Sequence, residues 1–337
     1  MLLNVLDGSV DVIPQDNGLN RVVVRPKVPE LGPNIQSVET TYPIDLIKAI
    51  VAAKGIYVCD EIARDHSPDY VQADICFSLL SYIPESAFVG RRLLDFGCGA
   101  GASSVVLARM FPDTEIVGVE LQDKFLQVAR RRAECHGLSS IKFCLSPDPN
   151  CLPDDIGQFD FINMTGVFEH LLPGERPLIM ELLWAALKSE GIIFLHQTPH
   201  RHFPIATHTT GGLPMINYLP DSLAGAYARK FARRDLRRDS WEVLLRKGLR
   251  GGSVREIRKI LSRTQSPPVF LKPDRLGIRD SIDLWYASAS GHRGVSKRIA
   301  YIGSKVIRYL TGMEVPPYLS LAIEKGAAVS GSRSKSR

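Results

Sequence analysis

The stretch Leu93-Leu94-Asp95-Phe96-Gly97-Cys98-Gly99-Ala100-Gly101 decides the fold. Its apolar run ends at Asp95, glycines follow at every second position from Gly97, and apolar residues return at helical spacing from Val105. Glycine adopts positive φ without strain and carries no Cβ, so the pattern predicts a strand, a tight turn and a helix that leave backbone open to a ligand. The spacing also fits a dinucleotide-binding turn with Ala102 as its third small residue.

Acidic residues follow the next predicted strands as well. Glu120 comes near the end of the apolar run Ile116–Leu121, about twenty residues after the turn, where a carboxylate can accept both ribose hydroxyls of a nucleotide. Asp148 stands shortly before Leu152-Pro153, after a third short run. A fourth run, Phe159-Asp160-Phe161-Ile162-Asn163, leads into Val167-Phe168-Glu169-His170-Leu171. Because ligands of such sheets bind outside the carboxyl ends of the strands, these positions are expected to face one ligand.

Together these stretches resemble the class I S-adenosylmethionine (SAM) dependent methyltransferases, especially those of type 11 and those acting on quinones. The resemblance is firm over about residues 90–200. It implies that the glycine turn wraps the methionine half of SAM, that Glu120 holds the ribose and that Asp148 accepts from the adenine amino group. A nicotinamide enzyme is the alternative for this turn. The predicted cofactor-binding residues are Asp95, Gly97, Gly99, Gly101, Glu120, Leu121, Asp148, Pro149, Asn163 and Thr165.

Apolar strands alternate with helical patterns through the middle of the chain, which predicts parallel strands with right-handed crossovers. The expected fold is α/β: a doubly wound, mostly parallel, seven-stranded Rossmann-like sheet with an antiparallel edge strand and a helical insertion. The predicted divisions are an irregular N-terminal arm (1–41), a SAM-binding core (42–215), a basic helical insertion (216–315), a final core strand (316–326) and a disordered tail (327–337). Helices before the core commonly form a lid in this family; Asp65, His66 and Tyr70 are candidates to line it, with a solvated linker as the alternative.

Composition limits the class of protein. The chain has 337 residues, 45% of them hydrophobic, and a net charge of +6. Its mean hydropathy is −0.02, and it holds no apolar run of about eighteen residues that could span a membrane. The first residues lack the pattern of a secretory signal, so the cytoplasm is the expected location. Six scattered cysteines without a Cys-x-x-Cys pair indicate reduced thiols and neither a disulfide framework nor a zinc site.

Four of the eight histidines, His196, His200, His202 and His208, fall within thirteen residues after the predicted fifth strand. Imidazole titrates near neutral pH, so one of them could take the proton of an acceptor hydroxyl. His200 and His208 are the first candidates for this catalytic base, with His170 as a third. For each single histidine, capping of backbone groups is the simpler alternative. No metal site is predicted, because no paired carboxylate accompanies the His-x-His spacing.

Basic residues crowd the region from Asp221 to Arg308. A helix predicted over Val295–Leu310 places five apolar residues on one face and most of its lysines and arginines elsewhere. The favoured interpretation is that this apolar stripe packs on the core while the charges are solvated. Peripheral contact of the basic 229–308 region with an anionic membrane or a phosphorylated substrate is the alternative, and nucleic acid is not favoured.

The predicted function is transfer of a methyl group from SAM to a small-molecule acceptor, a hydroxyl of a sugar, lipid-linked or phenolic compound. Methyl transfer is a direct displacement, so the enzyme mainly positions the acceptor, excludes water and removes a proton. N-methylation of a small amine and a non-catalytic SAM-fold interaction protein are the alternatives.

Overall fold

A computed structural model describes residues 1–29, 32–288 and 294–327. The chain forms two compact units, residues 1–153 with 287–294 and residues 154–286 with 295–337. This division falls inside the predicted core, after Pro153. Apart from Ala327, the predicted tail lies outside the described residues.

The prediction of an irregular N-terminal arm is wrong. Residues 1–41 contain a four-stranded antiparallel sheet in chain order. Its strands are β1 (Leu2–Val5), β2 (Gly8–Pro14), β3 (Asn20–Pro26) and β4 (Ser37–Thr40). Alternate valines such as Val10 and Val22 are fully buried. The alternation and the Asn17-Gly18 turn are hairpin signals in the sequence that the interrupting prolines obscured.

Three helices follow in the first unit, α1 (Ile44–Lys54), α2 (Val58–His66) and α3 (Ala73–Leu80). The structure does not support Asp65 as a lid residue, since the residue is 2% exposed. Its carboxylate accepts hydrogen bonds from the Tyr42 hydroxyl and from His136 Nε2 at 2.9 Å. Nη1 of the fully buried Arg132 lies 3.9 Å from Oδ1 of Asp65. Asp65 therefore holds helices together inside the unit, and it is not in a solvated linker either.

The glycine turn lies in a parallel block of the first unit. The elements are β5 (Arg92–Phe96), α4 (Ala102–Met110), β6 (Glu115–Glu120), α5 (Asp123–Cys135) and β7 (Lys142–Leu145). Phe96 pairs with Val119, and Glu120 pairs with Leu145. The carboxyl ends of the three strands are therefore aligned at one edge, as the alternation predicted.

The second unit contains the remaining strands and the helical insertion. Its elements are β8 (Phe159–Thr165), α6 (Arg176–Ala186), β9 (Leu187–Pro199), β10 (Ile205–Ala206), β11 (Leu213–Pro214), α7 (Asp221–Phe231), α8 (Trp241–Arg246), α9 (Val254–Leu261), β12 (Pro268–Phe270), α10 (Ser281–Ser288), α11 (Val295–Thr311) and β13 (Tyr318–Lys325). Strands β8 and β9 are parallel, and β13 is antiparallel to β9. The final strand β13 is not at the edge, because the short β12 pairs outside it.

The strand order is β5-β6-β7 in the first unit and β12-β13-β9-β8 in the second, seven strands in all. This confirms the predicted seven-stranded, mostly parallel α/β class. No helix among the described residues is long and apolar enough to cross a membrane. All six cysteines, which lie within the described part of the chain, carry free thiols.

The favoured prediction for the apolar stripe of α11 is wrong. The side chains of Val295, Ile299, Ile302, Val306 and Leu310 are between 50% and 76% exposed. The only buried residue of this helix, as far as the structure describes it, is Ser304. The stripe therefore does not pack on the core of its unit.

Candidate cofactor site and histidine cluster

The glycine turn after β5 is built from positive φ angles, +72° at Gly97, +55° at Gly99 and +81° at Gly101. A Cβ at Gly101 would lie 2.7 Å from the Cβ of Ala129, so close packing on α5 excludes a side chain there. A Cβ at Gly99 would meet no atom within 4 Å. Gly99 therefore leaves backbone beside open space, as a nucleotide-binding turn requires.

Glu120 is fixed at the end of β6 by three backbone amides. Its Oε2 accepts from the Gly99 N–H at 3.1 Å, and its Oε1 accepts from Leu121 and Gln122 at 2.8 and 3.1 Å. These three bonds occupy both lone-pair sites of Oε1 and one of Oε2, and the residue is half-buried. The same side chain can therefore shape the turn and accept from one ribose hydroxyl through the remaining site on Oε2.

Asp95 is 2% exposed. Its Oδ2 accepts from the hydroxyls of Ser103 at 2.6 Å and Ser104 at 2.7 Å, both in the first turn of α4. This arrangement indicates that Asp95 positions the glycine turn through α4. Direct contact of its carboxylate with a ligand stays a prediction.

Asp148 lies just beyond β7, with an exposed side chain. Its Oδ1 accepts from the Asn150 N–H at 2.6 Å. Hydrogen bonds from Cys151 and from the Asn150 amide lower the pKa of the Asp148 carboxyl, which keeps it ionised as an acceptor. The neighbouring Pro149 is exposed, and the Leu121 side chain is 49% exposed. Open backbone, an anchored carboxylate and an exposed acid along one sheet edge fit an adenosyl ligand.

Comparison with known proteins agrees with this geometry. A methyltransferase-domain family model matches residues 88–216. The ubiquinone biosynthesis O-methyltransferase of Saccharomyces cerevisiae mitochondria is 33% identical over 141 residues, which are 41% of this chain and 40% of that protein. Residues 88–216 of this chain match a methyltransferase domain, as the resemblance to class I SAM-dependent enzymes predicted. SAM is accordingly the cofactor that the glycine turn and Glu120 would hold.

The chain is also similar to a curated lipid-modifying enzyme and to a solved methyltransferase structure. The cyclopropane-fatty-acyl-phospholipid synthase of Escherichia coli is 36% identical over 107 residues, 32% of this chain and 26% of that protein. A plantazolicin methyltransferase solved with S-adenosylhomocysteine is 12% identical, covers 84% of this chain and 94% of that one, and has a TM-score of 0.44. The matches span 20–40% of the lengths of the curated relatives compared.

Asn163 and Thr165, the last predicted cofactor residues of the methyltransferase domain, lie at the end of β8. Asn163 is fully buried, and its Oδ1 accepts from the Thr165 hydroxyl at 3.0 Å. Their contact with SAM stays a prediction.

The second unit brings together Glu169, His170 and His208, which we call the histidine cluster. One ligating atom from each lies within 4.8 Å of the others. Glu169 is 1% exposed and accepts from the Thr198 hydroxyl at 3.1 Å. Burial raises the pKa of the Glu169 carboxyl. In the sequence, Glu169 stands out only as the neighbour of His170, and no local pattern links it to the distant Thr198.

Hydrogen bonds assign the protons on two rings of the cluster. His170 Nδ1 lies 2.6 Å from the Arg246 carbonyl oxygen, which can only accept, so Nδ1 carries the proton. The Thr209 hydroxyl donates to the Lys247 carbonyl at 2.6 Å, which leaves its oxygen to accept from His208 Nδ1 at 3.4 Å. In the neutral rings, Nε2 of each histidine therefore carries a lone pair.

His200 has the opposite tautomer. Its Nδ1 accepts from the His202 backbone N–H at 3.1 Å, so Nε2 carries the proton of the neutral ring. Burial, together with the charge of His202, lowers the pKa of His200 to about 4. The predicted role of His200 as a base is thus disfavoured, because its free nitrogen is a donor.

A pocket of about 300 Å³, partly open to solvent, lies beside these residues in the second unit. His208 and Thr209 line it, whereas its apolar wall is made by Pro199, Ile205, Ala206, Leu249 and Pro317. Burial lowers the pKa of His208 to about 4, so its ring is neutral near pH 7. A neutral imidazole at the wall of such a pocket can accept a proton from a bound hydroxyl.

The histidine cluster also offers a metal-type donor set, although the sequence analysis expected none. The charge of Arg176 acts on Glu169, and the charge of Arg234 acts on His208. Both guanidinium groups would repel a metal cation held by the histidine cluster. The surrounding charge therefore favours acid–base chemistry over metal binding.

His196 lies in β9, is fully buried, and neither ring nitrogen has a hydrogen-bond partner. Burial lowers its pKa to about 3. An unfolded histidine titrates near pH 6.5, so below that pH the unfolded chain binds more protons and the folded state loses stability. At pH 5 the loss from His196 alone is about 2 kcal/mol relative to pH 7.5.

We expect His196→Leu to flatten this pH dependence by about that amount while costing little at pH 7.5. Urea unfolding between pH 7.5 and pH 5 measures the difference, with the exposed His202→Ala as the matched control. An unchanged slope in His196→Leu would show that His196 is not the titrating group.

Proposed function

We propose that this chain methylates a hydroxyl group of a small, largely apolar acceptor with SAM as the methyl donor. The observation that carries the proposal is the neutral imidazole of His208, held with its Nε2 lone pair free at the wall of a pocket with mixed apolar and polar lining. The histidine cluster belongs to the same matched domain as the glycine turn.

SAM supplies a methyl group already activated by the positive charge on sulfur. The chain's own residues then have three tasks. Gly99 and Glu120 bind and orient the nucleoside, and the apolar wall of the pocket excludes water from the acceptor. His208 Nε2 takes the proton of the acceptor hydroxyl, while Thr209 holds Nδ1–H in place. Glu169 and His170 are positioning residues that set the charge around the His208 ring.

The chemistry of the pocket favours a lipid-linked or phenolic hydroxyl over that of a free sugar. Five apolar residues line the pocket together with five polar ones, which suits an acceptor that joins an apolar body to a hydroxyl group. The polar residues are His200, Thr207, His208, Thr209 and Asn217. Two relatives are named for apolar molecules, ubiquinone and fatty-acyl phospholipid, and these names support the same acceptor class.

The experiment is calorimetric titration of the full chain with SAM, S-adenosylhomocysteine and NADH, followed by mass spectrometry on a panel of phenols, lipid alcohols, glycosides and amines. We expect binding of both SAM compounds, no binding of NADH and a methylated phenol or lipid alcohol. Binding of SAM with no methylated product would support a non-catalytic protein instead, and a methylated amine would correct the acceptor class. Turnover that stops in EDTA and returns with a divalent ion would replace the histidine base with a metal.

A further inference from the structure

Helix α11 exposes a continuous apolar face. Its large apolar side chains recur at intervals of three and four residues, which places them on one side of a helix. Their exposed fractions are 76% for Val295, 64% for Ile299, 51% for Ile302, 50% for Val306, 89% for Tyr309 and 73% for Leu310. Met313, just beyond the helix, is 57% exposed. Single exposed apolar residues are ordinary, but a contiguous stripe along a whole helix marks an interaction site.

The opposite side of α11 is attached to its unit by polar contacts. Lys305 Nζ lies 2.6 Å from carboxylate oxygens of Asp280 and Asp283. Arg308 pairs with Asp280 at 2.8 Å, and the Tyr301 hydroxyl donates to Asp283 at 2.8 Å. A surface helix of a soluble domain normally turns its apolar side inward. In α11 the orientation is reversed. Ion pairs with Asp280 and Asp283 hold the polar side of the helix against the unit, so the apolar stripe faces outward.

Positive charge accompanies the stripe. Arg298 is exposed one residue before Ile299, and Arg308 keeps 44% of its side chain exposed despite its ion pairs. Within the same unit, residues 221–263 carry thirteen lysines and arginines against five acidic residues. A surface that combines an apolar stripe with basic groups is complementary to lipid acyl chains beneath anionic headgroups.

We propose that α11 is a docking helix for an anionic membrane surface. The helix lies in the plane of the interface, with Ile299, Ile302 and Val306 entering the boundary between headgroups and acyl chains. Tyr309 and Arg298 remain at headgroup level, where an amphipathic ring and a guanidinium are both stable. Because one helix buries few side chains, the attachment is reversible.

Co-sedimentation of the full chain with vesicles tests this proposal without SAM or an acceptor. Vesicles of phosphatidylcholine alone are compared with vesicles that contain phosphatidylglycerol. We expect roughly tenfold stronger binding to the anionic vesicles, weakened by added salt. The double variant Ile299→Asp/Val306→Asp should lose most of this binding, and Arg298→Glu should lose part of it and become less sensitive to salt.

Val89→Asp is the matched control, because Val89 is 61% exposed in the first unit and should leave vesicle binding unchanged. All substituted side chains are exposed, and circular dichroism verifies that the variants remain folded. Equal binding to both vesicle types, or unchanged binding of the double variant, would overturn the proposal. A dimer in light scattering that becomes monomeric in the double variant, without vesicle binding by either protein, would assign the stripe to a second copy of the chain. Since no step needs methyl transfer, failure of the proposed function leaves this test unaffected.

Discussion

His208→Ala should lower kcat by roughly 10²- to 10⁴-fold and leave the affinity for SAM unchanged. The reason is that His208 offers a neutral ring with a free Nε2 lone pair at the pocket wall, while Thr209 and the Lys247 carbonyl hold the other nitrogen. Removing the ring removes the acceptor for the hydroxyl proton but leaves the glycine turn of the other unit intact. Steady-state kinetics with the best acceptor and calorimetry with SAM measure the two effects separately.

His200→Ala provides the discriminating comparison. Both histidines line the same pocket and have pKa values lowered to about 4, but Nε2 of His200 carries a proton. We therefore expect His200→Ala to change KM more than kcat. In the wild type, kcat/KM should stay level down to about pH 5 and fall below it, because burial keeps His208 neutral. If His208→Ala retains full kcat, or if His200→Ala shows the larger loss of kcat, the assignment of the base is wrong.

Glu120→Ala is expected to weaken SAM binding by about 1.5 to 3 kcal/mol, a factor of roughly 10 to 150. The carboxylate would accept a charge-assisted hydrogen bond from the ribose, and it also orders the Gly99, Leu121 and Gln122 amides. Calorimetric titration with SAM measures the loss directly.

Glu115→Gln is the control for this prediction. Glu115 begins the same strand and pairs with Arg92 at 2.9 Å and with Lys142 at 2.8 Å, at the opposite end from the glycine turn. We expect its affinity for SAM to equal that of the wild type. Equal affinities of Glu120→Ala and Glu115→Gln would contradict a ribose contact by Glu120.

The core was predictable from the sequence because its signals are local. A parallel strand buried on both faces is a continuous apolar run, so β5, β6 and β8 could be placed close to their true bounds. The Gly99 conformation follows from the missing Cβ, and Glu120 follows from its distance to the turn. The N-terminal sheet was missed because prolines at the ends of β2 and β3 hid the alternation of Val10, Val12, Val22 and Val24.

The parts that the sequence left unpredicted depend on contacts between distant residues. The tautomer of His170 depends on the carbonyl of Arg246, which is 76 positions away. The orientation of α11 depends on Asp280 and Asp283, and the periodicity of a helix cannot show which side its neighbours will attract. The short β12 has three residues, the first of which is Pro268, and becomes a strand only because β13 offers an edge.

The carboxylate of Glu120 and the bare backbone at Gly99 are placed to contact the nucleoside part of SAM. That part is chemically the same before and after the methyl group departs. The product S-adenosylhomocysteine therefore keeps these contacts and lacks only the methyl group and the positive charge on sulfur. We expect it to compete with fresh SAM for the turn, so sustained turnover in a cell would depend on a second enzyme that cleaves the product.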